Sequence, residues 1–247
     1  MQKEKREQIW LEAVTKHYGE DAALDSVTLS FQANLTTAIV GTSGSGKSTL
    51  VQMINGLVAP TSGKVHVFGR GIDYDNLPAL RRRIGYAVQG TGLFPHLTVR
   101  ENITLLARLA DWQETQLNER MAALMKLVSL PQNFSGRYPH ELSGGQQQRV
   151  GLCRAMMLNP EIFLLDEAFG ALDPITRADI HQEVIRLQQH EPRTIVMVTH
   201  DLREALDLAQ HLVVLHRGRV EQAGIGEEVV RHPASSFVAD FVKAQLH

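Results

Sequence analysis

Eight consecutive residues, Gly41-Thr42-Ser43-Gly44-Ser45-Gly46-Lys47-Ser48, have the types and the spacing needed to hold a polyphosphate. Glycines let the backbone curl until successive amides point inward at anionic oxygens. Lys47 is placed to reach β- and γ-phosphates, and the Ser48 hydroxyl is a ligand for Mg²⁺. Context strengthens the reading over a chance glycine-rich turn. Leu35-Thr36-Thr37-Ala38-Ile39-Val40 enters the turn as a strand, and Leu50, Met53 and Ile54 leave it on one face of a helix that Gly56 can stop. That helix adds the positive end of its dipole to the loop. Kinases, GTPases, motor ATPases and transport ATPases all use such a loop, so it does not choose among them.

Three further stretches carry groups suited to the same chemistry. Leu142-Ser143-Gly144-Gly145-Gln146-Gln147-Gln148-Arg149 opens a predicted helix whose apolar stripe is Val150, Cys153 and Met157. Ser143 is placed as the N-cap and Gln146 as its capping-box partner. One reading is a capped helix with a flexible glycine pair; the other is a second anion site at that helix end. Ile162-Phe163-Leu164-Leu165-Asp166-Glu167 delivers two carboxylates from the end of an apolar strand. Asp166 can orient Mg²⁺ and its waters, and Glu167 can hold and polarise an attacking water. A solvated acidic loop is the alternative. Thr194–Val198 ends in Thr199-His200, expected at the same sheet edge, where His200 can contact a γ-phosphate. An isolated histidine otherwise packs at the surface or in the core.

The elements that must position these groups alternate between strand and helix, which predicts an α/β fold. Val27, Leu29 and Phe31 fall at period two, as do Val65 and Val67, and Ile84-Gly85-Tyr86-Ala87-Val88 reads as another strand. Ile162–Leu165, Thr194–Val198 and Leu212–Leu215 are short apolar runs with a helix between each pair, as for parallel strands buried on both faces. Thr98-Val99-Arg100-Glu101 is a capping box, and Leu117, Met121, Leu124, Met125 and Val128 share one helical stripe. The stretch from about Thr98 to Leu158 is therefore expected to form a mostly helical lobe inserted in the fold, with no boundary marking an independent domain.

Composition bounds the function. The chain has 247 residues, enough for one large domain or two joined lobes. Its 25 Lys and Arg against 27 Asp and Glu give a net charge of -2, which argues against binding nucleic acid by bulk phosphate neutralisation. The triple arginine Arg81-Arg82-Arg83 reads as a solvated helix end. With 43% hydrophobic residues, spread through every segment, the chain is not a disordered one. Cys153 is the only cysteine, so neither an intrachain disulfide nor a metal site of paired cysteines can form. The charged start, Met1-Gln2-Lys3-Glu4-Lys5-Arg6-Glu7, lacks an apolar stretch resembling a signal peptide, and the apolar runs fall far short of a membrane span. A cytosolic chain is expected, tied to a membrane only through a partner.

In order and spacing, the loop, the Leu142–Gln146 run, Asp166-Glu167 and His200 together resemble the ATP-binding subunit of an ABC transporter. The likeness runs from about Ile9 to the end. It implies a single ATP-binding domain spanning 1–247: a P-loop NTPase core with a mostly parallel sheet, a small N-terminal antiparallel β subdomain, and an α-helical subdomain at about 98–158 inserted in the RecA-like core. The resemblance also implies cofactors, ATP and Mg²⁺, with Ser48, Gln89 and Asp166 at the metal, Glu167 and His200 catalytic, and Thr49 counted with the phosphate loop. Gln89 matches the glutamine that joins Mg²⁺ and senses the γ-phosphate. Gly170-Ala171-Leu172-Asp173 looks like the D-loop, with Gly where the family usually has Ser, and Tyr18 fits the aromatic that stacks on adenine. A core tyrosine is the alternative for Tyr18.

Arg82–Gln89 followed by Gly92–Val99 looks like importers of osmoprotectants such as glycine betaine, choline and carnitine. Many of that group carry carboxy-terminal CBS domains, and a chain ending at His247 leaves no room for them, so that regulation is not expected. The implied partners are a second copy of the chain in a head-to-tail ATP sandwich, membrane permease subunits on the cytoplasmic face, and, indirectly, a solute-binding protein. The segment around Phe94-Pro95-His96 is the candidate permease contact, with ordinary loop packing as the alternative. A lipid-transport or efflux subunit differs only in its partner. A soluble non-transport ABC protein fits less well, since sustained heptads and a second phosphate loop are both missing.

Overall fold

The computed structural model of the chain describes residues 7–88, 90, 92–170 and 172–246. Its elements run in chain order β1 (Glu7–Tyr18), β2 (Asp21–Gln32), β3 (Thr36–Val40), α1 (Lys47–Ile54), β4 (Ser62–Val67), β5 (Arg70–Gly71), α2 (Leu77–Arg81) and β6 (Ile84–Ala87). Then come α3 (Val99–Arg108), α4 (Glu114–Leu127), α5 (Gly144–Met156), β7 (Ile162–Asp166), α6 (Pro174–His190) and β8 (Thr194–Val198). The chain closes with α7 (Leu202–Leu208), β9 (His211–His216), β10 (Arg219–Ile225), α8 (Gly226–Arg231) and α9 (Ser236–Leu246). Two compact units result, one from the residues up to Arg81 and from Arg193 onward, the other from Arg82–Pro192.

The first unit contains two sheets. One is antiparallel, in the order β2-β1-β4-β5. Its strands bury Val27, Leu29 and Phe31 on one face, as the period-two pattern predicts, together with Ile9, Leu11 and Val65. In the other, β3 lies parallel to both β8 and β9, and β10 turns back antiparallel on β9. Every residue of β3 and β8 is buried. That burial on both faces is why these strands are continuous apolar runs and carry no alternation.

The second unit pairs β6 parallel to β7 and gives most of its chain to helices. Thr98 caps α3 through a complete capping box with Glu101, and α4 buries Leu117, Met121, Leu124 and Met125 on one stripe. Gly85 lets β6 pass close to α5 and β7, since a Cβ there would sit 2.3 Å from the Ala155 carbonyl oxygen. The arginine triplet is less idle than its charge suggests. Arg81 donates to the carbonyls of Asn55 and Gly56 at the end of α1, Arg83 grips Glu161 with two hydrogen bonds, and Arg82 is exposed. Among the described residues no helix is long and apolar enough to cross a membrane.

Candidate functional site

In the first unit, β3 delivers the chain into the glycine-rich loop and α1 carries it away. Two of its glycines are required by close approach. A Cβ at Gly41 would lie 2.0 Å from the Leu215 carbonyl oxygen, and one at Gly46, whose φ is 100°, would lie 2.2 Å from that of Ala23. The loop is thus seated on the start of β2 and the end of β9, and Gly218 donates its amide to the Ser45 carbonyl to close the seat. Thr42, Ser43 and Gly44 form an exposed rim, while Ser45 and Lys47 are buried. The Lys47 ammonium is held inward by the carbonyls of Gly41 (2.9 Å) and Thr42 (2.8 Å). Gly46, the residue before α1, has a left-handed backbone and offers no side-chain cap to the helix end. Ser48 and Thr49 follow in the first turn of α1, half-buried.

Tyr18 ends β1 in the tight hairpin to β2, paired with Asp21. It is 51% exposed and so is not a core residue; the Lys16 ammonium lies 5.2 Å from its ring centroid. The strand segment beside it, Ala23-Leu24, is the one that seats Gly46. His200 follows β8 and is exposed, next to Asp201, which caps α7.

In the second unit, β7 ends on Asp166, 2% exposed, whose carboxylate accepts a hydrogen bond from the Tyr86 hydroxyl of β6 at 3.2 Å. Glu167 comes next and is half-buried with φ at 50°, a left-handed backbone that costs a non-glycine residue about 1–2 kcal/mol. Its carbonyl accepts from the Gly170 amide (3.3 Å) and from the side-chain amide of Gln148 (3.2 Å). Asp173 is exposed and already engaged as the N-cap of α6. The hydrogen bond from Thr176 holds its carboxyl below the usual range.

Ser143 and Gln146 satisfy each other across the first turn of α5. Ser143 Oγ accepts from the Gln146 amide, and the Gln146 side-chain oxygen accepts from the Ser143 amide. The Ser143 hydroxyl proton is left to donate, and Ser143 and Gly144 are exposed while Gly145 is half-buried. The Phe94-Pro95-His96 segment is built as well. Buried Asn102 accepts from the Phe94 amide and donates to the carbonyls of Phe94, Leu97 and Thr98. Arg154 of α5 donates to the Gly92 carbonyl (2.8 Å) and lies over the Phe94 ring, which remains 42% exposed.

Each unit therefore gathers part of the expected set. Tyr18, the phosphate loop and His200 belong to the first, and Ser143–Gln146, Asp166, Glu167 and Asp173 to the second. Gln89 and Ala171 lie outside the described residues. No group of three or more His, Cys, Asp or Glu residues able to cage a metal occurs among the described residues. Sequence reasoning missed Tyr86 and Gln148, the two side chains that hold Asp166 and the Glu167 peptide. A signal for Gln148 existed: it shares a buried helical face with Leu152 and Ala155, where a polar residue needs a partner.

The family model described as ABC transporter matches residues 24–170. The chain is 45% identical over 233 residues to the glycine betaine/carnitine/choline transport ATP-binding protein OpuCA of Bacillus subtilis, covering 94% of this chain and 61% of that one. It is 46% identical to the glycine betaine uptake system ATP-binding protein YehX of Escherichia coli, over 92% of this chain and 74% of that one. The chain spans about three fifths of the length of the first curated relatives it matches. Among solved structures, it resembles a dimeric post-hydrolysis state of the ATP-binding cassette MJ0796 bound to ADP and Pi, with a TM-score of 0.83 and 35% identity. That match covers 88% of this chain and 98% of the other.

Proposed function

The chain belongs to the ABC transporter family, and we propose on that premise that it is the ATP-hydrolysing subunit of an importer of quaternary-amine osmoprotectants. The observation that carries the ATPase reading is the loop itself: a buried lysine, two glycines that admit no side chain, and an uncapped helix end. In this reading the loop amides and Lys47 bind the β- and γ-phosphates, and Tyr18 stacks on adenine. Ser48, Asp166 and Gln89 are the residues that would hold Mg²⁺, which would offset the phosphate charge. Glu167 accepts a proton from the attacking water, and His200 contacts the γ-phosphate.

Ser143, Gly144, Gly145, Gln146 and Asp173 serve the nucleotide of a second copy arranged head to tail. The Ser143 hydroxyl proton, left over from the capping box, is the group that would donate to a phosphate oxygen. MJ0796 bound to ADP and Pi is dimeric, which supports the pairing. The permease would dock on the Phe94 segment, where Asn102 and Arg154 hold an exposed aromatic in a fixed frame. The names of the relatives, which cover glycine betaine, carnitine and choline, support the solute class and a membrane location reached through the permease.

The test is Glu167→Gln. It should keep ATP binding, lower turnover by about 10²–10⁴-fold, the range for losing a general base, and accumulate ATP-bound dimers. Near-wild-type hydrolysis in this variant would overturn the assignment.

A further inference from the structure

Glu167 carries the proposed general base on a backbone that its own side chain disfavours, with φ at 50°. Where the carboxylate points is set by the dihedral angles of that one residue. Its φ and the plane of the peptide after it must both be held if the base is to stay aimed. Among the described residues, two donors reach the carbonyl of that peptide. Gly170 donates its amide at 3.3 Å, closing a local turn, and Gln148 donates its side-chain amide at 3.2 Å from another element, α5. Gln148 is only 5% exposed, so its amide is desolvated and the hydrogen bond it makes is costly to lose. The turn to Gly170 is local, while the donor from α5 ties the peptide to a separate, capped helix.

We propose that Gln148 is a positioning residue for the general base. Its amide fixes the Glu167 peptide and thereby the direction of the Glu167 carboxylate, without touching nucleotide. This rests on the reading of Glu167 as the base. It separates two glutamines of one helix: Gln146 completes the cap that presents Ser143, whereas Gln148 holds the Glu167 peptide of its own chain.

The test is a double-mutant cycle on the full chain. Gln148→Met keeps the volume of the side chain and removes the donor. Turnover should fall about 10–100-fold, the scale expected when a reacting group is displaced by about 1 Å. ATP affinity, measured by equilibrium titration, should stay within about twofold of wild type, because the loop that binds phosphate is untouched. In the Glu167→Gln background the same substitution should cost almost nothing further in single-turnover hydrolysis, since a base already lost cannot be misaimed.

A merely structural role predicts the opposite, an equal loss in both backgrounds. Equal losses, a fall in affinity that tracks turnover, or wild-type turnover in Gln148→Met would each overturn the proposal. If Gln148→Met does not fold by circular dichroism, Gln148→Asn, which withdraws the amide by one methylene without adding bulk, serves the same cycle. Fast hydrolysis by Glu167→Gln would remove the base and this proposal with it; a slow Glu167→Gln beside a fast Gln148→Met would remove the positioning role alone.

Discussion

Chemistry at the scale of single residues rests here on groups whose surroundings leave them one face to offer. Tyr18 is the clearest case. It is half exposed at the tip of a hairpin, and the strand beside it seats Gly46 of the phosphate loop. A ring so placed has little to pack against in the chain itself, so its face is available for a base. Stacking is worth roughly 1–3 kcal/mol per base, so Tyr18→Ala should weaken ATP binding by about 5–150-fold, while Tyr18→Trp should largely preserve it. Nucleotide titration of both variants decides the matter, and equal losses would assign Tyr18 to packing. Residue type and spacing single out Lys47, Ser48 and Glu167 as candidates. The partners of Tyr86 and Gln148 are not legible in this way, because they lie 80 and 19 positions away; the buried helical face of Gln148 signals only that it needs a partner, not which one.

Elements in this chain start where the sequence places their caps. Thr98 with Glu101 and Ser143 with Gln146 both form reciprocal boxes, as four-residue spacing alone predicts. The Thr98 box makes a pH-dependent contribution. Hydrogen bonds from the Thr98 amide and then its hydroxyl hold the Glu101 carboxyl below the usual range. A carboxyl depressed in the folded state stabilises above its unfolded pKa, and that stabilisation is lost as pH falls through the folded value. Glu101→Gln should therefore be less stable than wild type near pH 7, with the difference in urea midpoint shrinking in acid below the ordinary glutamate range of about 4.3. A difference that stayed constant from about pH 7 to pH 3 would show that the charge of Glu101 plays no part. The loop ahead of α3 was less legible. Its fixed shape comes from Asn102, a buried polar residue inside a helix that periodicity alone marks only as an interruption.

For the molecule as a whole, the proposal of a shared site makes a covalent prediction. Ser43 on the phosphate loop and Ser143 at the start of α5 are both exposed. Cysteines placed at both positions should join two copies when ATP is added to the Glu167→Gln background and an oxidant follows, because a disulfide needs Cα atoms within about 7 Å. The native thiol stays silent: Cys153 is 0% exposed, and burial pushes its pKa up, so it can be left in place. A non-reducing gel should show a covalent dimer only with nucleotide. Crosslinks confined to single chains would refute sharing between copies.

By itself the sequence determined the chemistry that is local. The glycine-rich loop places adjacent amides and a lysine in one turn, and helix ends are satisfied within four residues, so both are written as short motifs. The alternation of apolar runs and helical stripes likewise determined an α/β fold with strands buried on both faces. Only the tertiary structure decided what those motifs rest on. The loop glycines are required because Leu215 and Ala23 press their carbonyls against them, and Arg81 is tied to the end of α1. The Glu167 peptide is held by a glutamine of another helix. Contacts between distant segments leave no periodicity in either partner; they come into being when the chain closes on itself, and the groups they bury must then find partners among whatever the fold has brought near.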